Sequence, residues 1–258
     1  MDYTEILVST EQEVGILTLN SPHTANALSK NMIREVIEAL QGLDADPSVR
    51  VIIIRANGKH FCSGHNLSEM QGVGMVELKF IFEQCSRMMT LVHDIPKPVI
   101  AQVHGVATAA GCQLVATCDL AVAEEKARFA TPGVKVGLFC TTPMIALSRA
   151  VGRKRALEML FTGRMISAEE AERWGLVNKV VPQAELEHTA MELAHNIATA
   201  SPLVIAIGKQ AFYATVEQDE RRAYHLASTT MTANLMTEDA QEGIQAFMAK
   251  RTPNWKGR

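Results

Sequence analysis

No stretch of this chain approaches the roughly 20 uninterrupted apolar residues that a helix needs to cross a bilayer, so no membrane span is expected. Cysteine is sparse and odd in number: Cys62, Cys85, Cys112, Cys118 and Cys140. No two of them form a C-x-x-C pair, which argues against a disulfide framework and against a zinc knuckle, and suits a reducing compartment. The opening stretch MDYTEILVSTEQ lacks a basic segment followed by an apolar run. No leader is therefore expected, and a cytoplasmic location is inferred. Excess basic charge is missing as well: the formal net charge is -3, whereas nucleic-acid binders carry a basic surface. No nucleic-acid partner is expected.

Several catalytic signatures are absent too. The sequence contains no G-x-x-x-x-G-K-[ST], no H-E-x-x-H and no G-x-S-x-G, which removes the sequence support for P-loop, zincin and hydrolase-elbow chemistry. Gly72-Val73-Gly74 has neither a preceding strand nor a third glycine at dinucleotide-fingerprint spacing. The eight histidines form no i, i+4 pair, so no metal site is expected.

What is present is an ordinary globular composition, 47% hydrophobic and 21% charged over 258 residues, long enough to bury a substantial core. Two β-rich runs, residues 5–10 and 14–20, flank the polar Glu11-Gln12-Glu13 and read as a hairpin. Met32, Val36, Ile37 and Leu40 fall at helical spacing within residues 29–43. The β-branched run at 51–54 has the pattern of a strand covered on both faces. A helical pattern over 76–92 stops before Ile95-Pro96-Lys97-Pro98, because proline cannot continue it. Residues 99–103 and 120–123 read as strands, with a small-residue helix over 109–117 between them. Repeated strand–helix alternation predicts a layered α/β domain. From residue 201 onward only helical patterns remain, at about 203–213, 223–235 and 239–250. The chain thus divides into a core over residues 1–200 and a helical region over 201–258.

Two segments concentrate small residues where a strand hands over to the next element: Phe61-Cys62-Ser63-Gly64-His65-Asn66-Leu67, and the run from Val103 through Ala109-Ala110-Gly111-Cys112-Gln113. Small residues admit close approach to the backbone, and free N–H groups at a helix start form an anion site. The residues alone leave two readings open: backbone donors aimed at a ligand oxygen, or tight packing of a short helix on a strand.

The segments PHTANAL (22–28), FCSGHNL (61–67), HGVATAAGCQLVATCD (104–119), FATPGVKVG (129–137), LEMLFTGRMI (157–166), AEEAERWGLVNKVV (168–181) and EGIQAFMAKR (242–251) occur in the order found in the crotonase (enoyl-CoA hydratase/isomerase) superfamily, which the chain resembles over nearly its whole length. The resemblance implies a spiral of ββα units with a C-terminal helical trimerisation region, assembling as a homotrimer or a hexamer of paired trimers. It implies an acyl-CoA thioester as ligand, with coenzyme A entering as part of the substrate and no cofactor bound permanently. Two backbone N–H groups polarise the thioester carbonyl in that family, and the matching positions are Ser63 and Ala110. Ala25, Ser63, His65, Asn66 and Leu67 would line the coenzyme A site, and Phe247 and Lys250 would reach it across a subunit boundary. Lys250 would contact a phosphate.

The resemblance breaks at the two catalytic glutamates, which are replaced here by Gln113 and Gly133. A carboxamide cannot accept a proton near neutral pH, and glycine has no side chain at all. Ordinary hydratase activity should fall accordingly. The alternatives are a non-catalytic acyl-CoA-binding or regulatory protein, or an acyl-CoA decarboxylase or thioesterase. Cys140, Thr141, Thr142 and His65 are the ionisable or polar groups available as substitutes.

Overall fold

The computed structural model describes residues 3–258. Strands β1 (Ile6–Glu11) and β2 (Val14–Leu19) form the expected antiparallel hairpin. Gln12 and Glu13 turn it at φ of 43° and 70°, the left-handed pair that matches the twist of a two-residue hairpin. Helix α1 (Lys30–Ala45) begins where the Ser29 side chain accepts a bond from the Met32 N–H, and it buries Met32, Ile33, Val36, Ile37 and Leu40. Strand β3 (Val51–Ala56) then pairs parallel to β2. Helix α2 (Met75–Asp94) ends ahead of Pro96.

From here the chain alternates between two sheets. Strand β4 (Val99–Val103) joins the large one, β5 (Val106–Thr108) the small one, and α3 (Ala110–Thr117) follows. The next turn repeats this with β6 (Leu120–Glu124), β7 (Arg128–Ala130), α4 (Pro143–Val151) and α5 (Arg153–Thr162). Strand β8 (Ile166–Ser167), α6 (Ala168–Trp174) and β9 (Lys179–Val181) complete the sheets, ordered β1-β2-β3-β4-β6-β9 and β5-β7-β8. This is a ββα spiral. Helix α7 (Leu186–Ala198) covers the outer face of the large sheet with Ala190, Ala194 and Ala198, against Val14, Ile16, Val51, Ile53 and Ile100. Three helices close the chain: α8 (Pro202–Thr215), α9 (Glu220–Leu235) and α10 (Glu238–Ala249).

The small sheet was not foreseen from the sequence. Its strands are two or three residues long, too short to show a period of two, and their pairing spans distant parts of the chain.

Candidate functional site

The two small-residue segments meet. Cys62 bridges to Ala107 of β5: its N–H donates to the Val106 carbonyl at 3.2 Å and its carbonyl accepts from the Thr108 N–H at 2.9 Å. The Thr108 hydroxyl adds a bond to the Ser63 carbonyl at 3.1 Å. The first turn of α3 is pressed against this strap. A Cβ on Gly111 would lie 2.2 Å from the Cys62 carbonyl oxygen, and one on Gly64 would lie 2.8 Å from the Ala109 Cβ and 3.2 Å from the Ala110 nitrogen. Neither position admits a side chain. Ala109, immediately before α3, sits at φ 50° and ψ −118°, a conformation that costs a residue other than glycine about 1–3 kcal/mol. That strain is held where it sets the direction of the Ala110 amide.

The Ser63 amide is not the free donor expected from the sequence. The Ser63 N–H donates to the Ala25 carbonyl at 3.0 Å and its hydroxyl reaches the Thr24 carbonyl at 3.3 Å, so Ser63 is not available to a ligand oxygen. Leu28 donates to the Gly64 carbonyl at 2.7 Å and accepts from the Asn66 N–H at 3.1 Å. Extended backbone alternates its N–H groups between two sides. The intervening His65 N–H therefore points away from Leu28, and it has no acceptor within the protein among the described residues, nor has the N–H of Ala110. The amides of His65 and Ala110 are both unpaired, as are those of Gly111 and Cys112 in the same first turn of α3.

The surrounding loop is fixed by a residue that sequence reasoning passed over. Asn26, buried and left-handed at φ 53° beside Ala25 at φ 54°, accepts from the Ser21 N–H at 2.8 Å and donates to the carbonyls of Asn57 and His60, each at 2.8 Å. The signal was asparagine's tolerance of left-handed backbone. Asn66 caps a short turn, accepting from the Ser68 N–H and hydroxyl at 3.2 and 2.7 Å, and Leu67 is exposed. The His65 ring stands edge-on to Phe82. Burial lowers its pKa, and its Nε2 has no partner.

Gln113 lies one helical turn beyond Ala110 on α3, so both belong to one helix face. It lines a cavity of about 320 Å³ between α2, α3 and α4, and its buried Oε1 has no hydrogen-bond partner. Gly133 differs. Residues 137–140 fold back over it, with the Leu138 N–H donating to the Gly133 carbonyl at 2.9 Å. A Cβ there would meet the Leu138 carbonyl oxygen at 2.5 Å and Cys140 Sγ at 2.8 Å. The loop occupies the volume a side chain would need.

Among the candidate substitutes, Cys140 has its thiol pKa pushed up by burial, partly offset by a bond from the Gly133 backbone. It is held as a thiol rather than a nucleophilic thiolate. Thr142 lines the Gln113 cavity, whereas Thr141 is exposed. Phe247 and Lys250 sit at the end of α10, which packs on α8 and α9. Both are exposed, and neither is brought to the strand exits within one chain. No group of three or more metal-ligating side chains occurs among the described residues.

This spiral, with its paired strand exits, places the chain in a known class. The enoyl-CoA hydratase/isomerase family model matches residues 9–258, and the chain belongs to that family. It is 50% identical over 252 residues to the mitochondrial enoyl-CoA hydratase domain-containing protein 3 of Rattus norvegicus, an alignment covering 96% of this chain and 84% of that protein. This is the group that the segments ATAAGCQL and ATPGVKVGLFC resemble. The crystal structure of the human protein of the same name superposes with a TM-score of 0.95 at 47% identity, covering 98% of this chain and 100% of that one. An enoyl-CoA hydratase structure from Mycobacterium smegmatis gives a TM-score of 0.95 at 46% identity, covering 98% and 99%. The rat and human relatives are named mitochondrial, which overturns the expected cytoplasmic location. Organelle addresses are read from leader segments, and the composition of a folded domain carries no such address.

Proposed function

We propose that this chain binds an acyl-CoA thioester and holds its carbonyl oxygen between the backbone N–H groups of His65 and Ala110. The observation that carries this reading is that two backbone donors on adjoining segments are left without acceptors while the neighbouring amides of Ser63 and Asn66 are paired. Free N–H groups at a helix start and on the adjoining strap, beside a strained residue, suit a ligand oxygen. Such donors stabilise the negative charge that develops on a thioester oxygen when an enolate or tetrahedral adduct forms. Each is worth about a hundredfold to a thousandfold in rate.

Ala25, Ser63, His65, Asn66 and Leu67 form the wall along which the coenzyme A portion would lie. Phe247 and Lys250 would complete it from a neighbouring copy. The exposed Tyr224, Met231, Met236, Phe247 and Met248 of the C-terminal helices and their connections support association into a trimer or a pair of trimers. Hydration proper is disabled: Gln113 cannot take a proton from water, and position 133 offers no group. Loss of general acid–base assistance slows the reaction roughly a hundredfold to ten-thousandfold.

The test is vibrational. Butyryl-CoA bound to the protein should show its thioester carbonyl stretch shifted to lower frequency than in water, and crotonyl-CoA should be hydrated at no more than about a hundredth of the rate of a glutamate-bearing relative. An unshifted carbonyl in the bound state would remove the proposal.

A further inference from the structure

We propose that Asn26 is a positioning residue for the thioester oxygen: its carboxamide sets where the backbone N–H of His65 stands, without touching the ligand itself. This deepens the acyl-CoA reading and rests on it.

Asn26 is fully buried, and its short side chain spends both donors and its oxygen on backbone groups of three different residues. Its Oδ1 accepts from the Ser21 N–H, and its Nδ2 donates to the Asn57 and His60 carbonyls, all at 2.8 Å. Its own N–H donates to the Ser21 carbonyl at 2.9 Å. One side chain thereby ties residues 21–26 to the exit of β3 and to His60, where the strap begins. A carboxamide suits this place because it carries two donors and an acceptor, whereas an ionised aspartate has no donor. The same bonds hold Ala25 and Asn26 in consecutive left-handed conformations, φ 54° and 53°, which alanine does not favour by itself.

The strap is placed from there. One of its edges is held by β5, through Cys62 and the Thr108 hydroxyl, but those bonds reach only as far as Ser63. The other edge is held by residues 25–28: Ala25 accepts from the Ser63 N–H, and Leu28 bonds Gly64 and Asn66 in a parallel bridge across His65. The His65 amide therefore takes its place from the 25–28 edge, and that edge takes its place from Asn26. Hydrogen bonds weaken steeply with distance and angle, and a misplacement of about 1 Å that originates away from the reacting atoms costs about a hundredfold. Ala110 is placed separately, by α3 and the strained Ala109. Loss of the Asn26 clamp should thus misplace one donor of the two.

The experiment is difference Raman spectroscopy of butyryl-CoA saturated with the chain, which reads the shift of the thioester carbonyl stretch in the bound state whatever the affinity. In Asn26→Asp, of nearly the same shape but without the donors, roughly half of the wild-type shift should be lost. Asn26→Gly, which suits left-handed backbone but has no side chain, should lose as much. Ala194→Gly, inside α7 on the outer face of the large sheet, should lower the unfolding midpoint and leave the shift as in the wild type. A full wild-type shift in either folded Asn26 variant overturns the inference, as does an equal loss in Ala194→Gly. Should neither Asn26 variant fold, hydrogen exchange in the wild-type chain decides. Groups that open as one unit exchange together, so saturating butyryl-CoA should slow the Asn26 Nδ2 hydrogens and the Ser63 and Asn66 amides by a common factor. Slowing of those amides without the Asn26 hydrogens overturns the inference. An unshifted carbonyl in the wild type would instead reject the acyl-CoA reading itself.

Discussion

The core and the C-terminal helices solve the same problem by different physics. In the core, β2 is buried at all six positions and β3 at five of six, so apolar area removed from water supplies the stabilisation. In the C-terminal region α9 buries no residue, α8 buries only Lys209, and α10 only Asp239 and Ala246. Two of those three are charged. The helices are fastened by hydrogen-bonded charges: Lys209 Nζ donates to the carbonyls of Val92 and Lys97 at 2.7 and 2.9 Å and to Asp119 Oδ2 at 2.6 Å. Asp119 also accepts from the Val99 N–H at 2.7 Å and the Tyr213 hydroxyl at 2.7 Å. A second fastening joins Asp239 to the Ser201 hydroxyl and to the N–H groups of Lys256 and Gly257. Apolar packing makes a core cohesive, while directional charged bonds let a helical region be positioned and still leave its apolar side chains exposed.

This contrast can be broken most directly at the joint. Asp119→Ala leaves Lys209 buried without its counter-charge, and unfolding in urea should show a loss of about 3–5 kcal/mol. The exposed Arg222–Asp219 pair should give no more than about 1 kcal/mol on removal. Equal losses at the two pairs would show that the charged joint carries no special weight.

Within the core, Gly133→Glu should destabilise by roughly 1–3 kcal/mol because its Cβ meets the Leu138 carbonyl and Cys140. Combined with Gln113→Glu it should still fail to give family-level hydration of crotonyl-CoA. Full recovery of hydration would mean that the 137–140 loop yields freely.

A smaller change of opposite sign is expected at Ala109→Gly. Relief of its φ 50° conformation should raise stability by about 1 kcal/mol, read as an increase in the thermal midpoint. An unchanged or lowered midpoint would show that the residue is not strained.

The smallest effect is local and concerns acid. Glu242 is held near a pKa of about 2, first by the Arg251 side chain and then by the Asn254 N–H. Burial would raise Asp239, but its bonds from Ser201, Lys256 and Gly257 outweigh this and lower it. Carboxyl groups depressed in the folded state stabilise it fully above their ordinary range and lose that contribution as pH falls toward the depressed value. Below roughly pH 4 the segment 251–258 should therefore detach ahead of the core. Trp255, whose Nε1–H donates to the Thr199 carbonyl at 2.8 Å, would report this as a red shift of its fluorescence. Simultaneous loss of core circular dichroism would contradict the order.

How far the sequence could be read follows the range of the interactions. The Ser29 cap, the Pro96 stop and the apolar face of α1 are local, and each was legible. The β5-β7-β8 sheet was not, because three-residue strands are specified by partners 20 to 40 residues away. At the site, the small-residue segments and the replaced glutamates were visible as residue types. Which amide was free was not: Ser63 and His65 differ only in which side of an extended strand they face, and that is fixed by Leu28 and Ala25 from another part of the chain.

By itself, then, the sequence determined the class of chain, the order of most of its elements and that positions 113 and 133 carry no proton-transferring side chain, because composition, periodicity and residue chemistry are properties of neighbours along the chain. Only the tertiary structure decided that the His65 and Ala110 amides are unpaired while that of Ser63 is paired, that Gly133 lies under a loop, and that Gln113 faces a cavity with its Oε1 unpaired. Those facts depend on which groups from distant segments have already spent their hydrogen bonds and their space on one another.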